Sequence, residues 1–129
     1  YQASAYYFTC IEDRIPLLPL YRILRGRFYC IYGNDLYSGK PWLEILPKTA
    51  SKATAGLALK EWLGAQELVC FGDGINDLSM IQKAGIGIAM GNAAPEVLAA
   101  AKYHTGSNEQ AGVAAEIEKY LNSEKERML

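Results

Sequence analysis

Asp73 and Asp77 stand four residues apart in Cys70-Phe71-Gly72-Asp73-Gly74-Ile75-Asn76-Asp77-Leu78, where an apolar run stops abruptly at two glycines. Glycines on both sides of Asp73 let the backbone turn sharply and let another group approach closely. Two carboxylates about 5 Å apart repel by roughly 3 kcal/mol at an effective dielectric of about 20. A fold keeps such a pair where a cation neutralises it, and all-oxygen donors at a polar loop suit a hard ion such as Mg²⁺. Asn76 adds a neutral amide able to bond a phosphate oxygen or to fix a carboxylate. The plainer alternative makes Asp77 an N-cap or first-turn acid favoured by the helix dipole, with Asp73 an ordinary turn residue.

Lys52 is the second candidate. In Pro47-Lys48-Thr49-Ala50-Ser51-Lys52-Ala53-Thr54 it stands at a helix start, the wrong end for a cation. A solvated surface lysine is one reading; a phosphate held between the ammonium and the helix end is the other. His104 is the only histidine, so no zinc constellation exists, and a structural role at a strand end is expected for it. Cys10, Cys30 and Cys70 are widely spaced among apolar neighbours and read as reduced, buried thiols. No GxxxxGK[ST] stretch occurs, which excludes a P-loop. Gly85-Ile86-Gly87-Ile88-Ala89-Met90-Gly91 nearly spells a dinucleotide fingerprint, but its third glycine comes one residue late and its first precedes the strand.

The elements that must carry these residues fall into two textures. Residues 1–42 hold ten of the fourteen aromatic residues. Within them 5–11 and 27–32 read as strands, Leu20–Leu24 as a short helix and Gly33-Asn34-Asp35 as a turn. Residues 42–45 form a third strand stopped by Pro47, so this part reads as an incomplete antiparallel sheet. From Lys48 the pattern changes. Ser51 caps a helix over 52–63 with apolar residues at Ala55, Leu59, Trp62 and Leu63, and Gly64 ends it. Residues 68–71 read as a strand buried on both faces, 77–84 as a helix, 86–90 as a strand, 95–102 as a helix opened by Pro95, 103–105 as a short strand and 110–121 as a closing helix with a frayed charged tail. Alternation of this kind predicts an α/β fold with a parallel sheet covered by helices. Such sheets place ligands at the carboxyl ends of their strands, and Asp73 lies two residues past one such end.

With 129 residues the chain is near the commonest size of one domain. Its net charge of −1 offers nothing to nucleic acid or an anionic membrane. No apolar run approaches the roughly 20 residues of a membrane helix, and the first residues lack a leader's basic start and apolar centre. These features point to a cytoplasmic protein. The chain begins at Tyr1 rather than Met, as a piece of something longer would.

WLEILPKTASKATA, VCFGDGINDLSMIQKAGIGIAMGNA and AAKYHTGSNEQAGVA together resemble the C-terminal part of a haloacid dehalogenase superfamily hydrolase of the Cof-type sugar-phosphatase branch. The resemblance covers residues 42–121. It implies the C-terminal half of a Rossmann-like core over 47–129, preceded by the end of an α+β cap domain over 1–46. It also implies a mechanism, in which an aspartate attacks the phosphorus of a small phosphorylated metabolite, and the resulting phospho-aspartate is hydrolysed with Mg²⁺ bridging nucleophile and phosphate. By that carry-over Lys52 is the catalytic, phosphate-neutralising lysine. Asp73 is a catalytic-site metal ligand, Asp77 orients metal-bound water, and Asn76 contacts phosphate or orders the loop.

Two departures qualify the resemblance. The D-x-D-x-[TV] strand that carries the family's nucleophile is not present in this sequence, nor is the Ser or Thr of its second motif, so the chain is expected to be inactive alone. Ala111 stands where relatives commonly carry an acid before Gly112-Val113. Two other readings compete: a truncated, non-catalytic module that self-associates through an exposed sheet edge, and a fragment of a P-type ion-pump phosphorylation domain, which shares GDGxND and IGIAMG. Leu78-Ser79-Met80 departs from the small and proline residues such pumps carry there.

Overall fold

A computed structural model describes residues 5–13, 15–35 and 38–127, with side chains through 123. It divides into two compact units, Tyr1–Ser51 and Lys52–Leu129.

The first unit is a three-stranded antiparallel sheet with one helix. Strands β1 (Phe8–Ile11) and β2 (Tyr29–Asn34) both pair with β3 (Pro41–Leu46), giving the order β1-β3-β2. Leu43, at the centre of the middle strand, is fully buried, as expected for the position flanked on both sides. Helix α1 (Leu17–Leu24) starts three residues earlier than its sequence suggested. Pro19 falls in its first turn, where the missing N–H has no intrahelical partner to lose. Strand β2 runs on through Gly33 and Asn34, which pair with Trp42 and Pro41. The turn therefore falls later than expected, around Asp35, whose carboxylate accepts the Ser38 N–H and hydroxyl, and Gly39 supplies its positive φ of 67°. Tyr21 stacks on Tyr32, and the Arg25 guanidinium lies over Tyr21.

The second unit is α/β. Strands β4 (Val69–Gly72), β5 (Ile86–Ala89) and β6 (Tyr103–His104) form a parallel sheet in chain order, with β5 in the middle. Helices α2 (Lys52–Trp62), α3 (Leu78–Lys83), α4 (Pro95–Ala100) and α5 (Gly112–Arg127) alternate with or follow the strands. Cys70, Ile81, Ala89, Met90, Ala93 and Val97 make its core. Burial of these side chains is the main drive for the unit, at roughly 25 cal/mol per Å² of apolar surface.

Several sequence expectations shift here. The apolar set Leu59, Trp62 and Leu63 is not the packed face of α2, for Trp62 is 81% exposed. Ala53 is buried instead, and Gly56 lies against Leu68, because small residues allow the helix to approach closely. Strand β4 is not buried on both faces: Cys70 and Gly72 are buried while Val69 is exposed, the alternation of a strand at a sheet edge. Of the three free thiols only Cys70 is buried; Cys10 and Cys30 are half-buried. Helix α5 begins later than expected, after a 3₁₀ turn over Asn108–Gln110, and continues through the charged tail to Arg127. Glu, Lys and Arg are good helix formers, so the tail has local reason to stay helical.

Candidate active site

Three loops converge at the carboxyl ends of the parallel strands: 73–77 after β4, 91–94 after β5 and 105–111 after β6. The parallel ladder continues into them. Met90 N–H donates to Gly72 O, Thr105 N–H to Ala89 O, Ala94 N–H to Asp73 O at 2.8 Å, and Gly91 N–H to Gly106 O at 3.2 Å.

The first loop leaves β4 at Gly72, where any Cβ would meet Asp77 Cβ at 2.6 Å. Glycine here lets Asp77 fold back over the strand end. Residues Ile75–Asp77 form one 3₁₀ turn that runs directly into α3. Asp77 does not cap α3 with its side chain. Its carboxylate turns backward instead, and Oδ2 accepts the N–H groups of Asp73 (3.1 Å) and Gly74 (3.2 Å). Asp77 is 5% exposed, the single buried charged residue among those described.

Lys52, at the first position of α2, reaches this carboxylate. Its Nζ lies 2.5 Å from Asp77 Oδ1, and its own side chain is half exposed. The cation that faces Asp77 is thus a lysine of the chain itself, a partner that the sequence reading of Lys52 did not include. Burial pushes the Asp77 carboxyl up, but the Lys52 hydrogen bond, the Gly74 and Asp73 N–H groups and the Lys52 charge together outweigh it and hold the group below its ordinary value.

Asp73 projects at the loop surface and is exposed. Asn76 is half-buried, and its Oδ1 would lie 2.7 Å from a Cβ on Gly74. Lys52, Asp73, Asn76 and Asp77 therefore sit in one loop cluster around the end of β4. His104 is elsewhere in role, its Nε2 bonded to Leu98 O. Asn92 is not among the candidate residues of the sequence. Its Nδ2 donates to Asp73 Oδ2 at 3.4 Å and its Oδ1 accepts the Asn108 N–H at 3.1 Å. The only sequence signal for it was a lone amide in a turn after a buried strand.

The donor set fits a hard divalent cation in part. Mg²⁺ is typically held by one or two carboxylates, with waters and phosphate oxygens completing its shell. Asp73 has an exposed carboxylate. Asp77 Oδ2 already accepts two N–H bonds, which fill its two lone pairs, and Oδ1 holds Lys52, so Asp77 suits an indirect role through water. Among the described residues no group of three or more His, Cys, Asp or Glu gathers as a self-sufficient metal site.

Comparison with known proteins shows the family of this chain. The family profile of haloacid dehalogenase-like hydrolases matches residues 18–117. The chain is 52% identical over 73 residues to the YxeH protein of Bacillus subtilis, covering 55% of this chain and 27% of that one. It is 38% identical over 92 residues to the 5-amino-6-(5-phospho-D-ribitylamino)uracil phosphatase YbjI of Escherichia coli, covering 70% of this chain and 34% of that one. A haloacid dehalogenase-like hydrolase from Bacteroides thetaiotaomicron shares the structure with a TM-score of 0.66 and 36% identity, over 89% of this chain and 44% of that one. The chain thus spans about a third of the length of the curated relatives it matches. Over that span it belongs to the haloacid dehalogenase-like hydrolases.

Proposed function

We propose that this chain is the C-terminal portion of a Mg²⁺-dependent phosphomonoester hydrolase that works through a phospho-aspartate and acts on a small phosphorylated metabolite. The observation that carries the reading is the buried Asp77 carboxylate, gripped by Lys52 on one oxygen and by two backbone N–H groups on the other. That grip fixes an ammonium at the strand ends where ligands bind in such sheets. An ammonium carries three donors, so the bond to Asp77 is compatible with a second bond to a phosphate oxygen. Asp73 offers the exposed carboxylate for the metal, and Asn76 orders the loop or meets the phosphate. Mg²⁺, when bound, supplies charge neutralisation on the transferring phosphoryl group. The remaining work is positioning and electrostatic stabilisation by these side chains.

Residues 1–46 fit the end of a cap domain and 47–129 the second half of the core. The nucleophile belongs to a D-x-D strand outside this sequence, so the 129 residues alone are inactive. The E. coli relative's name makes a phosphorylated ribitylaminouracil one substrate to test within the class. The experiment is hydrolysis of p-nitrophenyl phosphate with Mg²⁺ by this chain and by the product of its source gene read upstream of Tyr1. Turnover is expected only from the longer protein and is abolished there by Asp73→Asn. Robust turnover by the 129 residues alone overturns the external nucleophile.

A second reading rests on β4, which pairs with β5 on one side only among the described residues. An open edge next to Asp73 suits a complementing strand, from the longer protein or from a second copy. Light scattering over a concentration series distinguishes the second copy, which raises the mass, from a strict monomer.

A further inference from the structure

The turn after β5 holds the loops after β4 and β6 together through its backbone and through one side chain that bonds to both. Strand β5 is the middle strand of β4-β5-β6, so its loop alone lies next to both neighbours. That turn grips Asp73 twice: Ala94 N–H binds the Asp73 carbonyl at 2.8 Å, and Asn92 Nδ2 binds the Asp73 carboxylate at 3.4 Å. It grips the β6 loop twice as well, through Gly91 N–H on Gly106 O and Asn92 Oδ1 on the Asn108 N–H. Gly91 packs so tightly there that a Cβ would meet Ser107 N at 3.0 Å.

The chemistry of the two partners explains why the bridging residue is an amide. The Asn108 N–H only donates, and the ionised Asp73 carboxylate only accepts. A single short side chain that serves both needs one acceptor and one donor, which asparagine has. An aspartate at this position keeps the acceptor, loses the donor and sets a second negative charge against Asp73.

We infer that Asn92 is a positioning residue, which fixes the Asp73 carboxylate in one orientation by tying it to the Asn108 loop. The inference rests on the reading of Asp73 as the metal-side carboxylate. Partners that orient a ligating carboxylate typically change metal affinity 10–100-fold when removed. At 3.4 Å and on an exposed acid, the lower end is expected here.

The test uses the longer protein, the product of the source gene read upstream of Tyr1, with Mn²⁺ as the probe followed by electron paramagnetic resonance, for wild type, Asn92→Ala and Asp73→Asn. Asp73→Asn is expected to abolish specific binding, and Asn92→Ala to weaken it about tenfold while the amide NMR spectrum keeps its native dispersion. An Asn92→Ala affinity within twofold of wild type, with Asp73→Asn inactive in binding, overturns the inference and spares the metal reading. Binding that is absent or indifferent to Asp73→Asn overturns the metal reading. The clamp itself is then decided by a second measurement that needs no metal and no Asn92 variant. In Asp73→Ala the Asn108 amide proton, held through Asn92, exchanges several-fold faster than in wild type. Unchanged exchange at Asn108 overturns the clamp.

Discussion

Lys52 Nζ lies 2.5 Å from Asp77 Oδ1, joining the first residue of α2 to the residue that opens α3 across 25 positions of sequence. The acid is buried and the base half exposed, so the two ends are worth different amounts. Asp77→Ala leaves the Asp73 and Gly74 N–H groups without their acceptor and is expected to cost about 1.5–3 kcal/mol, the range for hydrogen bonds to a charged group. Lys52→Met keeps the stem and leaves Asp77 its two N–H donors; solvent screening of the exposed ammonium limits the loss to about 1 kcal/mol. Urea denaturation checks both. A Lys52→Met loss equal to that of Asp77→Ala would show that the backbone bonds contribute little.

The depressed Asp77 carboxyl sets a pH dependence with a definite sign. Its ordinary value is 3.8 and the folded value lies lower, so the unfolded chain binds the proton more readily. The group's contribution is fully present above its unfolded value and is lost as pH falls through the folded one. Stability is therefore expected to drop on the acid side of 3.8. Asp77→Asn, which does not titrate, removes that part of the drop. Parallel stability profiles for the two proteins between pH 6 and 2 would refute the assignment.

Sequence reasoning found the alternating α/β pattern because strands β4 and β5 and helix α4 announce themselves locally, through apolar runs, Gly64 and Pro95. It singled out Asp73, Asn76 and Asp77 because glycines and acids in one short loop have few ordinary uses, and Lys52 because a cation at a helix start is out of place. It missed what depends on distant partners. The packed face of α2 is Ala53 and Gly56 rather than Trp62, since the choice belongs to Leu68 and α3, not to the helix's own periodicity. Asn92 stayed hidden because both of its partners, Asp73 and Asn108, are more than fifteen residues away.

Gly87 illustrates the same point and yields a prediction. Its spacing with Gly85 and Gly91 imitates a dinucleotide fingerprint, yet the structure gives it a packing role. A Cβ on Gly87 would meet the Ile81 carbonyl oxygen at 2.1 Å, a backbone atom of α3 that has no rotamer to yield. Gly87→Ala must push α3 off β5, and a loss of about 3 kcal/mol is expected, at the upper end for overpacking. A thermal midpoint equal to wild type would contradict the close approach.

Ala111 is the one described non-glycine residue in the left-handed region, at φ 51° and ψ 37°. It turns the chain from the Asn108–Gln110 turn into α5, and Gly112 behind it admits no Cβ, which would fall 2.1 Å from Gly106 O. The turn is therefore fixed from outside, and Ala111 bears the strain, which for an L-residue is about 1–2 kcal/mol. Asparagine tolerates this region. Ala111 is exposed, so substitution changes little packing. Ala111→Asn is expected to raise stability by about 0.5–1 kcal/mol. Ala111→Gly gains less, because the added freedom of the unfolded chain takes back about 0.4–1 kcal/mol. Ala111→Val, β-branched at positive φ, is expected to lose stability. The order Asn, Gly, Ala, Val in urea midpoint is the outcome that checks the assignment, and a Val variant as stable as Ala would mean that the left-handed turn is not what positions α5.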